Sequence, residues 1–94
     1  MSERVACCVP FCRRTTRPNC SEWICGRHWM AVPPRLRRRK QRLFRIYKRR
    51  FGDTGFWEFP AGSPDRLMAA KLARLCDRAW QHCKREAIEA AAGI

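Results

Sequence analysis

The cysteines near the start of the chain, together with one histidine, are the residues best suited to chemistry. Five of the seven cysteines fall within residues 7–25, at Cys7, Cys8, Cys12, Cys20 and Cys25. His28 follows the last of them after a gap of two residues. Thiolate and imidazole are the ligands that hold a structural zinc ion, usually as two short pairs from one chain. These residues therefore predict a zinc site in the N-terminal quarter.

The spacing identifies one ligand pair more clearly than the other. Cys25 and His28 enclose two residues, so both side chains can reach a single ion, and the intervening Gly26 suits a tight turn. The other pair joins Cys12 to Cys7 or to Cys8. Unligated thiols in a small core and a redox thiol pair are the alternatives, and the second is weakened because the chain has no Cys-x2-Cys motif.

The segment from residue 7 to residue 29 resembles the Cys3His zinc modules of small phage and prophage proteins. The resemblance rests on two cysteines with four residues between them, Val9-Pro10 inside that gap, and a Cys-x2-His pair followed by Trp29. Similar modules occur near the start of some phage HNH-type homing endonucleases. The resemblance implies a treble-clef-like module or zinc knuckle with the ligands Cys7, Cys12, Cys25 and His28. Cys8 is then a spare neighbour, and Cys20 stays an alternative ligand.

Catalysis is not expected. The chain departs from the endonucleases because only one histidine, His82, follows His28, so no second His-Asn-His centre exists. No carboxylate pair, Ser/His/Asp set or phosphate-binding glycine loop occurs elsewhere. Four protein ligands would fill the tetrahedral positions of zinc and leave none for a reactive water. We expect a structural zinc ion, no catalytic residues and no enzyme activity.

The length of 94 residues is that of a single domain. A chain this short often needs a metal or a disulfide to supplement its core. The odd number of cysteines, the lack of a secretory signal and the lack of an apolar run long enough to span a bilayer favour a reducing compartment. The expected location is the cytoplasm, which would be that of the host if the protein is encoded by a phage.

Positive charge is concentrated in one half of the chain. Residues 1–50 carry 15 Lys or Arg and two Glu, or 15 − 2 = +13, whereas residues 51–94 carry six basic and six acidic residues. Such asymmetry indicates an anionic partner, which is a nucleic acid, an acidic protein or an anionic lipid surface. A basic surface that serves only solubility is the alternative, but mixed charges would serve solubility equally well.

The chain divides into four segments within one domain. The zinc module covers 5–29, a basic helix 33–51, an aromatic loop 52–62 and a long helix 63–92. Pro33-Pro34 and Gly52 suit the two ends of the basic helix, and Ser63-Pro64-Asp65 suits the start of the long one. The predicted fold is small and mostly α, with the zinc module followed by two antiparallel helices.

The basic helix has two contrasting faces when successive residues are placed about 100° apart. The face expected to be buried carries Leu36, Leu43, Phe44, Tyr47 and Phe51. The opposite face carries an unbroken series that we term the arginine rail: Arg35, Arg38, Arg42, Arg45 and Arg49. With Arg13, Arg14 and Arg27 of the zinc module, the rail predicts backbone-dominated binding of nucleic acid, most simply duplex DNA. The alternative is an adaptor or inhibitor that docks on an acidic host protein.

The long helix should present one apolar face to the rest of the chain. Its members are Met68, Leu72, Leu75, Cys76, Ala79, Trp80, Cys83, Ala87 and Ala90. At about 1.5 Å per residue the helix would be about 45 Å long, so one end is expected to project from the body or to meet a partner. The aromatic loop should place Phe56, Trp57 and Phe59 in the groove between the two helices.

Overall fold

The computed structural model describes residues 3–18 and 20–93, and helices dominate it. The elements in chain order are β1 (Val5–Ala6), β2 (Thr15–Thr16), α1 (Gly26–Trp29), α2 (Pro34–Phe51), a 3-10 turn (Phe56–Glu58) and α3 (Pro64–Ala92). A Cys/His cluster near the N-terminus precedes the two long helices, which confirms the predicted mostly α fold. No helix in the described part of the chain is both long and apolar enough to cross a membrane.

α2 begins and ends where its proline and glycine predict. Pro34 occupies the first turn, where the missing N–H of proline costs no helical hydrogen bond. Gly52 follows the helix at φ 64° and donates its N–H to the Lys48 carbonyl. Ten of the 18 residues of α2 are Lys or Arg and none is acidic, so repulsion between neighbouring cations opposes the helix. Packing of its apolar face must therefore stabilise it. Only Leu36 of that face is buried, however, and Phe44, which we expected to be buried, is 41% exposed.

α3 carries predicted signals at both ends. Ser63 accepts a hydrogen bond from the Arg66 backbone N–H at 3.2 Å, Pro64 occupies the first turn, and Gly93 ends the helix in the left-handed conformation. The buried stripe of α3 consists of small residues, namely Ala69, Cys76, Ala79, Cys83 and Ala87. Met68 and Ala90, which we expected on this face, are exposed. Small side chains allow a second helix to approach closely.

The prediction that one end of α3 projects is wrong. The helix does span the longest dimension of the molecule, 45 Å. However, its buried residues extend from Ala69 to Ala87, because the 3-10 turn, α2 and α1 all pack against α3. The antiparallel arrangement of α2 and α3 is visible in the contact between Cys83 Sγ and the Leu36 carbonyl at 3.4 Å, near the start of one helix and the end of the other.

The N-terminal segment folds back on itself and then onto the helices. β1 and β2 form a short antiparallel pair, with Val5 opposite Thr16 and Ala6 opposite Thr15. The main core cluster joins this segment to both long helices and contains Cys7, Val9, Ile24, Cys25, Val32, Leu36, Cys83 and Ala87. No aromatic side chain of the described residues is fully buried in it. The core is therefore small even for this length of chain.

Lys40 connects three elements through aromatic rings. Its ammonium group lies 4.3 Å from the ring centroid of Phe44, 5.6 Å from that of Trp29 and 5.8 Å from that of Trp80. Trp29 and Trp80 are themselves 6.4 Å apart. Each cation–π contact of this kind is worth about 0.5–1 kcal/mol at a partly exposed site. A residue that looks like one more cation of the basic helix thus helps to hold α1, α2 and α3 together.

Glu22 attaches the N-terminal segment to α3. Its carboxylate accepts a hydrogen bond from Trp80 Nε1 at 3.1 Å and one from Lys84 Nζ at 2.6 Å. The bond from Lys84, followed by that from Trp80, lowers the pKa of Glu22, and the same ion pair raises the pKa of Lys84. Both partners are separated from Glu22 by more than 55 residues of chain. This carboxylate therefore helps the core cluster to fix the position of the segment on the helix.

The aromatic loop packs only in part as predicted. Phe59 lies against Phe51, with ring centroids 5.6 Å apart, and the Tyr47 hydroxyl donates to the Thr54 carbonyl at 2.7 Å. Trp57, in contrast, is 67% exposed. Its ring lies over Gly55, where an added Cβ would overlap the indole. The prediction that Trp57 fills the groove between the helices is wrong, because the 3-10 turn directs this residue outwards.

Substitution of Trp57 should therefore have little effect on stability. Trp57→Ala should lower the free energy of unfolding by about 1 kcal/mol or less, since the indole is already mostly hydrated. Phe59→Ala should cost about 2 kcal/mol, because the ring of Phe59 is half-buried against Phe51. Chemical denaturation of the two variants gives the comparison. A loss larger for Trp57 than for Phe59 would contradict the observed loop.

Glu22 provides a pH-dependent test of how the N-terminal segment is attached. Glu22→Gln should lower the free energy of unfolding at pH 7 by about 1 kcal/mol, a modest value because the side chain is 38% exposed. The lowered pKa of Glu22 means that its stabilisation is present above the unfolded-state value of about 4.3 and is lost as the pH falls through the folded-state value.

The difference between wild type and Glu22→Gln should thus be constant near neutral pH and should shrink below about pH 4. Denaturation curves at matched pH measure it. The control is Glu89→Gln, which removes a carboxylate near the C-terminal end of α3. It should change the free energy of unfolding little. A difference that is as large at pH 3 as at pH 7 would show that Glu22 acts through packing rather than through its charge.

Candidate metal centre

Four side chains of the N-terminal segment converge on one point. The ligand atoms of Cys7, Cys12, Cys25 and His28 all lie within 4.8 Å of one another. The separations are 3.2 Å from Cys25 Sγ to His28 Nδ1, 3.7 Å from Cys7 Sγ to the same nitrogen and 3.9 Å between the sulfurs of Cys12 and Cys25. These are the four residues predicted from the sequence. Their arrangement could hold a metal ion.

A hairpin and a tight turn position the first two ligands. Cys7 follows β1, donates its N–H to the Arg14 carbonyl at 3.0 Å and forms a parallel bridge with Trp23. The chain then reverses between Val9 and Cys12, whose N–H donates to the Val9 carbonyl at 3.2 Å. This reversal brings Cys12 back towards Cys7. The third residue of the turn, Phe11, has a φ of 68°.

A single helical turn positions the other two ligands. Cys25 is the N-cap of α1 and His28 is three residues further on, so both side chains lie on the same side of the turn. The Trp29 N–H donates to the Cys25 carbonyl at 2.8 Å and closes this turn. We expected Gly26 to supply the backbone geometry of a tight turn, but this position does not require glycine. It is helical, its φ is not positive, and a Cβ there would meet nothing within 4 Å.

The surroundings of the thiols differ. Burial raises the pKa of the Cys7 thiol. Burial is also the largest influence on Cys25 and acts in the same direction, but hydrogen bonding from the His28 backbone N–H and from Cys12 outweighs it and lowers the pKa of Cys25. The Cys25 backbone N–H points at Cys7 Sγ from 3.3 Å. Donors placed in this way stabilise a thiolate, which is the form that binds metal.

The alternative cysteine ligands lie elsewhere. Cys8 Sγ faces Glu22 Oε2 at 4.0 Å, because adjacent residues of an extended chain point in opposite directions. Cys20 is exposed and lies outside the four-residue cluster. Cys76 and Cys83 are buried free thiols of α3, and burial raises the pKa of each. The first ligand pair, which the spacing left ambiguous, is therefore Cys7 with Cys12 in the observed cluster.

The arginine rail is exposed along its whole length. Within residues 3–18 and 20–93, none of its five guanidinium groups has a hydrogen bond or an ion pair. Four of them line a shallow groove of about 780 Å³ that also includes Ile46 of α2 and Leu75 of α3. Arg13, Arg14 and Arg27 are exposed as well. The predicted basic surface is thus available to a partner.

Two residues have special roles that were not predicted from the sequence. Arg37 resembles the rail residues in sequence, but it donates to the Val32 carbonyl at 3.0 Å and contacts Met30, so it orders the connection between α1 and α2. Phe11 lies in the gap between two predicted ligands, and its position after Pro10 in a short loop between cysteines is typical of a turn. That signal could have indicated its unusual backbone.

Comparison of the chain with protein-family models, with curated proteins and with solved structures gives no match.

Serine substitutions distinguish the ligands from the other cysteines. Cys12→Ser should reduce the bound metal to below about 0.3 ion per chain, because one of four ligands is lost. Cys8→Ser is the matched control, since Cys8 is also half-buried, and should retain about one ion per chain. Elemental analysis after metal-replete expression and gel filtration measures both. Loss of metal from Cys8→Ser with retention in Cys12→Ser would exchange the two assignments.

Proposed function

We propose that this protein is a small zinc-stabilised module that binds duplex DNA mainly through the phosphate backbone. The arginine rail is the observation that carries the proposal. Its five guanidinium groups share one face of α2, all are exposed, and none has a partner within the described residues. The zinc ion would organise the N-terminal segment, and α2 would supply most of the contacts.

The donor set supports zinc as the metal. Three thiolates and one imidazole are typical of a structural zinc site and are softer than the oxygen ligands that magnesium and calcium prefer. With zinc–sulfur distances of about 2.3 Å, the sulfurs of a tetrahedral site are about 3.8 Å apart. The observed 3.9 Å between Cys12 and Cys25 fits that value. The ion would hold the two halves of the segment together and so contribute directly to folding.

A binding role is proposed rather than catalysis. Four protein ligands complete a tetrahedral shell and leave no position at which zinc could activate water. The resemblance to modules of small phage proteins supports an accessory or regulatory factor. Such a factor would act by occupying nucleic acid, not by cleaving it.

The rail suits a phosphate backbone in both spacing and charge. From Arg35 to Arg49 it extends about 21 Å along the helix at about 1.5 Å per residue. Guanidinium groups repeat about once per turn, and each can bind a phosphate through two parallel hydrogen bonds. An α-helix also fits the major groove of B-DNA, which is about 12 Å wide. Contacts with phosphate fix position and carry no sequence information, so we propose affinity without strong base preference.

Salt dependence of DNA binding tests the proposal. In Arg38→Ala/Arg45→Ala, affinity for generic duplex DNA should fall and the slope of log affinity against log salt should become shallower by about two, because two phosphate contacts are lost. Metal content and helicity should be unchanged. Arg78→Ala/Arg85→Ala on α3 is the matched control, since it removes the same charge from two exposed positions outside the rail. Titration by fluorescence anisotropy at several salt concentrations measures both.

The outcomes separate three explanations. Equal losses in the two double variants would mean that net charge rather than the rail attracts DNA, and would contradict the proposal. If the wild type binds neither DNA nor RNA at low salt, the proposal fails. An acidic protein surface, which presents the same sign of charge, then becomes the leading partner, and binding to polyglutamate is its first test.

A further inference from the structure

Phe11 is an exposed aromatic residue with an unfavourable backbone. Its side chain is 101% exposed, the largest value among the exposed apolar residues of the described chain. Its φ of 68° is the only positive value at a described residue other than glycine. Positive φ at the third position of a turn is a requirement of type II turns, and glycine or asparagine usually meets it. Phenylalanine at such a position is strained.

The strain has no visible compensation inside the chain. No side chain among residues 3–18 and 20–93 covers the ring of Phe11. Both ends of the turn are anchored, because Val9 is 3% exposed in the core and Cys12 belongs to the Cys/His ligand cluster. The tip of the turn points into solvent. Strained residues that serve no internal packing are concentrated at binding sites.

Positive charge lies close to this aromatic tip in the sequence. Arg13 and Arg14 come two and three residues after Phe11, with Cys12 between, and both are exposed. Arg4, by contrast, donates to the side chain and carbonyl of Thr15 and so supports the hairpin. A flat apolar ring with cations beside it matches a nucleotide, in which a flat base is joined to a phosphate. An acidic protein surface would use the arginines but offers no general partner for the ring.

We propose that Phe11 stacks on an unpaired nucleobase while Arg13 and Arg14 bind the adjacent phosphates. This inference rests on the proposed function and names its substrate class, which is a duplex with a single-stranded extension or an unpaired base. In a regular duplex both faces of every internal base are already stacked, so the ring has no free face to contact. The arginine rail binds the double-stranded part of the nucleic acid. The turn that carries Phe11 recognises the single-stranded extension or the unpaired base.

Stability and affinity should respond in opposite directions to one substitution. Phe11→Gly should raise the melting temperature of the metal-loaded protein by a few degrees, because glycine adopts positive φ without a Cβ clash. The same variant should bind a duplex with a single-stranded overhang about 5- to 150-fold more weakly, the range expected for loss of one aromatic–base stack. Affinity for a blunt duplex of the same length should not change.

Two further variants make the comparison specific. Trp57→Ala removes another exposed aromatic residue, 67% exposed, from the 3-10 turn and should leave both affinities unchanged. Phe11→Trp keeps an aromatic face and should retain the preference for the overhang. Anisotropy titrations with blunt and overhang duplexes, and the emission of 2-aminopurine placed in the overhang, provide the measurements. Quenching of 2-aminopurine by wild type and Phe11→Trp, but not by Phe11→Gly, supports stacking.

The possible failures are distinguishable. If Phe11→Gly binds the overhang as tightly as the wild type while Arg38→Ala/Arg45→Ala still weakens binding, stacking is wrong and the proposed function stands. If Phe11→Gly weakens binding to both duplexes equally, the ring does not require an unpaired base and the inference is overturned. If the wild type binds no nucleic acid, both proposals fail. A lower melting temperature for Phe11→Gly would show that the ring stabilises the chain itself and would also overturn the inference.

Discussion

Convergence of four ligands on one point is the constraint on which the rest of this small structure depends. Cys7 and Cys25 belong both to the ligand cluster and to the main core cluster, so packing of the core and convergence of the ligands are coupled. The largest fully buried side chains are only Val32, Cys25 and Cys83. A core of such small side chains contributes little hydrophobic stabilisation, and short chains often need a metal to add to it. Metal binding would supply the missing free energy, since the ligands are scattered in the unfolded chain.

The two long helices differ in charge and in how they contribute to packing. α3 is nearly neutral and uses a stripe of alanine and cysteine to pack against every other element of the described chain except the short hairpin. α2 uses its apolar face for packing and leaves its cations outside. Lys40 and Arg37 are exceptions, because aromatic rings and a backbone carbonyl bind them. Among the described residues of α2, the five arginines of the rail, Arg39 and Lys48 have no such partner, and all of them are exposed.

Local sequence signals were sufficient to predict the two long helices. Features that depend on long-range contacts could not be predicted from the sequence. Proline and glycine act within a few residues, so the bounds of α2 and α3 could be predicted correctly. The ligand cluster was also predictable, because metal chemistry restricts both residue type and spacing. Glu22 bonds to residues about 60 positions away, and no local pattern indicates that. The prediction that Trp57 is buried was wrong for a related reason. Its apolar character suggested burial, but the local 3-10 turn and Gly55 direct the indole outwards.

The turn between Val9 and Cys12 links the Cys/His ligand cluster to the surface that we propose for recognition. A phenylalanine at positive φ would relax to a more favourable backbone if the turn were released. Cys12 prevents this, because it is held in the cluster with Cys7 on the other side of the turn. The metal ion would thus maintain the strained conformation that presents Phe11. The rail depends on it less directly, since α2 is helical through its own packing on α3. Loss of the metal should therefore affect discrimination between nucleic-acid structures before it affects the attraction to phosphate.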